Sequence, residues 1–260
     1  MHFLVKLLPV SCVFVLIKNI LYYMSKTVNY YIVKLELDTF NNPSSMAQQC
    51  YFDIVVCLVI TKRSLNDVRL QIESMLNNLS VTHLRLALIL ADQVEQNEFV
   101  IRAYNFTPLL APFQNYLRQY EALTEVKSPE EIAKTLHRVL DLGWRVNNTD
   151  QNHFEMWNEN LCILMTDAPP LKSDCDRDCP SLRHVAQRFD EKGITLIVVG
   201  VDREAMLYES FYCDLAKITG GTFIPFEYAE ALSKIVNGSC GELTVRQTLF
   251  QMYPDGFRGW

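Results

Sequence analysis

The sequence predicts a layered α/β domain: a mostly parallel central sheet of about six strands, one antiparallel edge strand, and helices on both faces. Three observations carry that prediction. The segment Phe52–Ile60 (FDIVVCLVI) is a nearly unbroken β-branched and apolar run, the pattern of a strand buried on both faces of a parallel sheet. Further apolar runs alternate with segments whose hydrophobic residues recur at helical spacing. Helix starts and stops stand between them, the clearest being Ser128-Pro129-Glu130-Glu131, which supplies an N-cap, a proline at the first helical position and a capping glutamate.

After the first strand, Ser64 and Asp67 are spaced as a capping box, and Val68, Ile72, Met75 and Leu79 form the buried stripe of a helix. Leu84–Ala91 and Phe99–Phe106 read as two strands joined by the polar DQVEQNE, hence a hairpin that makes the sheet mixed. The helix begun at Ser128 buries Ile132, Leu136, Val139 and Leu140. Leu161–Met165 is the fourth strand, Ser181–Lys192 a helix stopped by Gly193, and Thr195–Val201 the fifth strand. Glu204–Ile218 reads as one helix ended by Gly220-Gly221, Thr222–Phe226 as a short last strand, and Tyr228–Val236 as the closing helix.

Composition narrows the function classes. With 24 Lys+Arg against 30 Asp+Glu the net charge is −6, so no global field favours a polyanion, and no local basic run marks a nucleic-acid surface. Hydrophobic residues at 49% and charged residues at 21% are ordinary for a globular chain, which removes disorder and low complexity. Of the 8 cysteines, Cys57 and Cys162 lie inside apolar strand runs and read as small, reduced core residues. Cys175 and Cys179 form a C-x3-C with His184 nearby, but no second pair follows and the spacing is outside tight zinc pairings, so the segment reads as a polar loop. Sequons stand at Asn78, Asn105, Asn147 and Asn237 and keep a secreted reading open.

Three segments follow: an extension over residues 1–45, a domain over 50–240 and a tail over 241–260. In the extension, Lys6 and Lys18 leave only Leu7–Ile17 uncharged, shorter than the roughly 20 residues that cross a bilayer. A signal sequence would want a small-residue cleavage site that is not there, and residues 3–23 make a membrane anchor only if the lysines snorkel. The preferred reading is an extension outside the fold or a start nearer Met46, in a cytoplasmic protein; secretion or membrane anchoring is the alternative.

No GxGxxG, GxxxxGK[ST], HExxH or GxSxG is present, so the usual nucleotide and hydrolase readings lose their main support. In an open α/β sheet the remaining ligand position is the crevice beyond the strand carboxyl ends. Thr61-Lys62-Arg63-Ser64 leaves the first strand there and Thr166-Asp167-Ala168-Pro169-Pro170 the fourth, with Asp167 the lone carboxylate.

The order of these motifs resembles a von Willebrand factor A (vWA) domain, in particular the type found beside alpha-protein kinase domains and in hemicentin-like proteins. The resemblance runs from about Tyr51 to Gly238 through FDIVVCLV, NFTPLLAPFQNYL, SPEEIAKTLHRVLDLGWR, LCILMTDAPP, KGITLIVVGV and ITGGTFIPFEYAEALSKIV. It implies a metal-ion-dependent adhesion site (MIDAS), where Mg2+ is held by hard oxygen ligands from three loops. Here the pattern is degenerate. Val59 stands for the first aspartate of D-x-[ST]-x-S, Thr61 keeps a hydroxyl, Arg63 takes the last hydroxyl position with Ser64 one residue on, and Lys127 falls at an acidic position of the second loop. Asp167 in the third loop is intact.

A divalent ion would face one carboxylate and several cations, each repelling it by on the order of 3 to 4 kcal/mol per unit charge at 4 to 5 Å and an effective dielectric near 20. The expectation is therefore no cofactor, with Lys127, Arg63 or Lys62 pairing with Asp167 in place of the ion; Mg2+ on Thr61, Ser64 and Asp167 is the alternative. The functional expectation is a non-enzymatic module that binds an unidentified protein at the crevice, with no nucleic-acid partner. The alternative is a regulatory relative or fragment of an alpha-protein kinase without its kinase domain. Trp144 reads as a core plug, His137 as a surface residue, and the aromatic segment Asn147–Asn160 as a contact loop or lid.

Overall fold

A computed structural model describes residues 50–94, 98–124, 129–145, 157–170, 180–239 and 243–253. Six strands form one sheet in the order β3-β2-β1-β4-β5-β6. They are β1 (Cys50–Val59), β2 (His83–Val94), β3 (Glu98–Thr107), β4 (Trp157–Thr166), β5 (Ile194–Gly200) and β6 (Phe223–Pro225). Every pairing is parallel except β2 with β3, the hairpin at the edge. The helices are α1 (Leu65–Asn77), α2 (Leu110–Gln119), α3 (Pro129–Val139), α4 (Pro180–Glu191), α5 (Arg203–Met206), α6 (Glu209–Ile218), α7 (Ala231–Gly238) and α8 (Val245–Met252).

The alternation of side chains along β1 assigns the two cores. Phe52, Ile54, Val56 and Leu58 pack with Val68, Ile72 and Met75 of α1, Phe113 and Leu117 of α2, Leu232 and Ile235 of α7, and Leu249 of α8. Val55, Cys57 and Val59 point the other way, against Ile132 and Leu136 of α3, Val185 and Phe189 of α4, and Leu215 of α6. The last eight residues of β1 are all buried. At about 1.5–3 kcal/mol for each large apolar side chain withdrawn from water, this strand is the centre of the stabilising core. Cys57 and Cys162 are free thiols in adjacent strands with sulfurs 3.8 Å apart, and burial pushes the Cys162 thiol well above its usual range.

Four local differences from the sequence reading have physical causes. Leu110–Gln119 is helical although Pro108 before it and Pro112 within it obscured the periodicity; Pro112 sits in the first turn, where a missing N–H costs nothing. The expected single helix Glu204–Ile218 is two: Asp202 caps α5 by accepting from the Glu204 and Ala205 amides at 2.8 and 3.2 Å, and a turn at Leu207-Tyr208 separates it from α6. Ser64 does not cap α1, because its hydroxyl is committed elsewhere. Within the expected tail, α8 starts with a capping box between Thr244 and Gln247, and buried Glu159 accepts the Val245 amide at 3.2 Å. Gly221 is required by packing, since a Cβ there would lie 1.7 Å from the Leu196 carbonyl oxygen.

The base of the sheet, where the parallel strands begin, holds a charged residue that the apolar run of β1 concealed. Asp53 is 1% exposed and accepts from Arg85 through Nε at 2.8 Å and through Nη2, from Arg145 Nη1 at 3.2 Å and from the Arg145 amide at 2.8 Å. Arg145 stacks over Tyr51 and Arg85 over Phe106, with ring centroids 4.9 and 4.8 Å away. Trp144 packs edge-on to Phe106 at 4.9 Å and donates from Nε1 to the Val139 carbonyl at 2.8 Å, so it is half-buried against the core, while His137 faces solvent.

Candidate functional site

The register between β1 and β4 sets the crevice. Val59 pairs with Thr166, so Thr61, just beyond Ile60, and Asp167 leave the sheet side by side. The TDAPP turn is held by three hydrogen bonds: Thr166 Oγ1 accepts the Ala168 amide at 3.1 Å, Thr166 O accepts the Val201 amide at 2.8 Å, and the Tyr212 hydroxyl donates to Ala168 O at 2.8 Å. Asp167 is thereby fixed at 4% exposure.

Its carboxylate is satisfied by neutral donors. The Thr61 amide donates to Oδ1 and Oδ2 at 3.1 and 3.0 Å, Thr61 Oγ1 to Oδ2 at 2.6 Å, and Ser64 Oγ to Oδ2 at 2.8 Å. This is where the Ser64 hydroxyl goes. Charge-assisted hydrogen bonds of this kind are each about twice as strong as neutral ones, so two hydroxyls and an amide offset much of the charge without a counter-ion.

The expected pairing of Arg63 with Asp167 is corrected. The Arg63 guanidinium bonds to Asp202 Oδ2, in the loop after β5. Asp202 offers a better-placed acceptor because its other oxygen is already oriented by the start of α5. Lys62 is exposed, and among the described residues no lysine or arginine lies within ion-pair distance of Asp167. Lys127, the His153 to Trp157 side chains and the Cys175–Cys179 pair lie outside the described residues. Val59 is fully buried in the core below α3, so its side chain is packing and not a ligand.

The described residues bring together Thr61, Ser64 and Asp167, the three oxygen donors of the Mg2+ alternative. By charge this set is a poor fit to a divalent ion: Asp167 is its single carboxylate, Val59 contributes no oxygen, and no group of three or more His, Cys, Asp or Glu side chains is placed to hold a metal among the described residues.

The segment between α2 and α3 forms the remaining wall and was not legible in the sequence. Thr61 and Leu123 form a parallel bridge, with the Lys62 amide on Leu123 O at 2.8 Å and the Leu123 amide on Ile60 O at 3.1 Å. Ala122 between them is held at φ 62°, a left-handed conformation that costs a non-glycine residue about 1–2 kcal/mol. Three anchors impose it: the Leu123 bridge, the Tyr120 hydroxyl on Ala91 O at 2.7 Å, and Arg69, which donates to the carbonyls of Leu117 and Arg118 at 3.1 Å each and of Tyr120. Burial, aided by the Asp92 and Asp167 carboxylates, pushes the Tyr120 phenol far above its usual range, so it stays a neutral donor.

Strand order and the single antiparallel edge make this the Rossmann-like vWA fold. No protein-family model matches the sequence, and no curated protein matches it either. Among solved structures the chain is similar to an aerotolerance-related membrane protein from Bacteroides fragilis, at 12% identity over 72% of this chain and 97% of that one, with a TM-score of 0.48. It is also similar to the vWF domain of the type V pili tip protein Mfa5 from Porphyromonas gingivalis, at 11% identity over 77% of this chain and 99% of that one, TM-score 0.47. A third is the pilus adhesin SpaC from Lactobacillus rhamnosus, at 10% identity, TM-score 0.48, where 75% of this chain spans 30% of that one. Among the described residues no helix is long and apolar enough to cross a membrane.

Proposed function

We propose that the chain is a non-enzymatic, protein-binding vWA module that engages its partner at the strand-end crevice without a metal ion. The observation that carries this reading is the Asp167 carboxylate saturated by the Thr61 amide and the Thr61 and Ser64 hydroxyls. A crevice built of an amide and two hydroxyls on one carboxylate, framed by the strand-end loops, suits a recognition surface. The residues that would have to act, Thr61 and Ser64, spend their hydroxyl protons on Asp167.

The test is crosslinking in cell extract with a photoreactive group at Gln119, beside the crevice, against a control group at Lys234 on α7. The expected result is a discrete adduct from position 119 that persists in EDTA. An adduct that disappears with EDTA contradicts the metal-free reading. The subtype found beside alpha-protein kinases remains the finer proposal, and a regulatory relative of such kinases the second; purified chain should then transfer no phosphoryl group to a model substrate, and measurable transfer would overturn it.

A further inference from the structure

We infer that the partner presents an acidic segment, received by an open depression that borders the crevice on the side of α1 and α2. The inference rests on the crevice-binding reading above and names the chemistry it selects. The depression measures about 600 Å³ and is lined by Lys62, Leu65, Arg69, Arg118, Tyr120 and Glu121, with Gln119 on its rim. Three of those side chains are cationic and one is anionic, on a chain whose net charge is −6. The local sign is therefore opposite to that of the molecule, and a local potential of that kind selects and steers a partner of negative charge.

The neighbouring ionic groups show why this charge stays available. Arg63 is taken by Asp202, Asp92 is in an ion pair with Arg102, and Asp167 is sealed beneath Thr61 and Ser64. Among the described residues none of Lys62, Arg69 and Arg118 is in an ion pair with a carboxylate. Arg69 is also immobile. Its guanidinium is pinned by the Leu117, Arg118 and Tyr120 carbonyls, so one cation of the wall is preorganised and needs no ordering when a carboxylate arrives. Lys62 is fixed at its backbone by Leu123 O and extends its ammonium into solvent. Leu65, 8% exposed, gives the floor a single apolar patch, which suits an acidic residue flanked by an aliphatic one.

The experiment selects short random peptides displayed against the full-length chain, and measures the enriched sequences by fluorescence anisotropy at low and physiological salt. Acidic sequences should be enriched, and the double variant Lys62→Glu/Arg118→Glu should weaken them at least about tenfold, with raised salt acting in the same direction. Both substituted residues are exposed, so the fold tolerates them. Gln119→Trp fills the depression without changing its charge and should also abolish binding. Peptides lost with Gln119→Trp but unaffected by the charge reversal would overturn the acidic partner and leave the crevice reading standing. Peptides indifferent to both variants, neutral or basic enriched sequences, or no enrichment at all would overturn the inference.

Discussion

Two carboxylates are buried at opposite ends of the same sheet and are neutralised by opposite means. At the base, Asp53 sits between two guanidinium groups, Arg85 and Arg145, each itself braced on an aromatic ring. At the top, the donors to Asp167 among the described residues are one amide and two hydroxyls. Formal charges facing each other at the strand beginnings make a clasp that ties β1, β2 and the segment after α3. Oriented dipoles at the strand ends hold an acid without a formal counter-charge among the described residues. A buried acid therefore does not by itself mark a functional centre, and what neutralises it separates an ion-paired clasp from a carboxylate held by dipoles.

The comparison breaks most visibly at the base. Asp53→Ala leaves two quarter-exposed guanidinium groups without their acid and should cost about 3 kcal/mol, read from urea unfolding. A loss below about 1 kcal/mol would mean that water already solvates the clasp. At the top, Asp167→Ala strands neutral donors only and should cost about 2 kcal/mol, while Asp167→Asn, which keeps one acceptor oxygen, should cost less. If the Asp167 variants proved more destabilising than Asp53→Ala, the ranking of charges above dipoles would be reversed. Tyr120→Phe, which removes the hydrogen bond to Ala91 O, should cost about 1 kcal/mol.

The same tyrosine supplies a pH test. Its folded pKa is raised, so the native chain holds the phenolic proton where the unfolded chain releases it near pH ~10. Above that pH the unfolded state binds fewer protons than the native state, and the contribution, fully present below pH ~10, is lost as pH rises. The decline should be shallower in Tyr120→Phe than in the parent chain. The smallest effect is at Ala122: glycine relieves the left-handed strain at some entropic cost, so Ala122→Gly should be neutral or stabilising by up to about 1 kcal/mol in thermal unfolding. A destabilised Ala122→Gly would show that the three anchors do not strain the loop.

The sheet was legible because each buried strand reads as an apolar run, and the hairpin because polar residues separate Ala91 from Phe99. Asp167 was legible as the one acid among Thr61–Ser64 and Thr166–Pro170, the residues that leave β1 and β4. Its partners were legible only by name: Thr61 and Ser64 stood in the right loop, but the spacing of Ser64 and Asp67 suggested a cap, and nothing local says that a hydroxyl will turn to a residue 103 positions away. Arg63 was assigned to the wrong acid for the same reason, since Asp202 reaches the crevice only through the order of β4 and β5. Asp53 carried a signal that could have been used: one charge inside a strand buried on both faces has to be paired, and Arg85 occupies the matching register position on β2. Arg69 and Tyr120 had no such mark, because they act on backbone carbonyls, which a sequence does not display.

Hydrogen-bond donors hold the charge of Asp167 among the described residues, and we propose that no ion joins them. Calorimetric titration of the full-length chain with Mg2+ and with Mn2+, alongside Asp167→Ala, tests it most directly. The account predicts no saturable heat with either metal in either protein; a saturable site in the parent chain that vanishes with Asp167→Ala would contradict it.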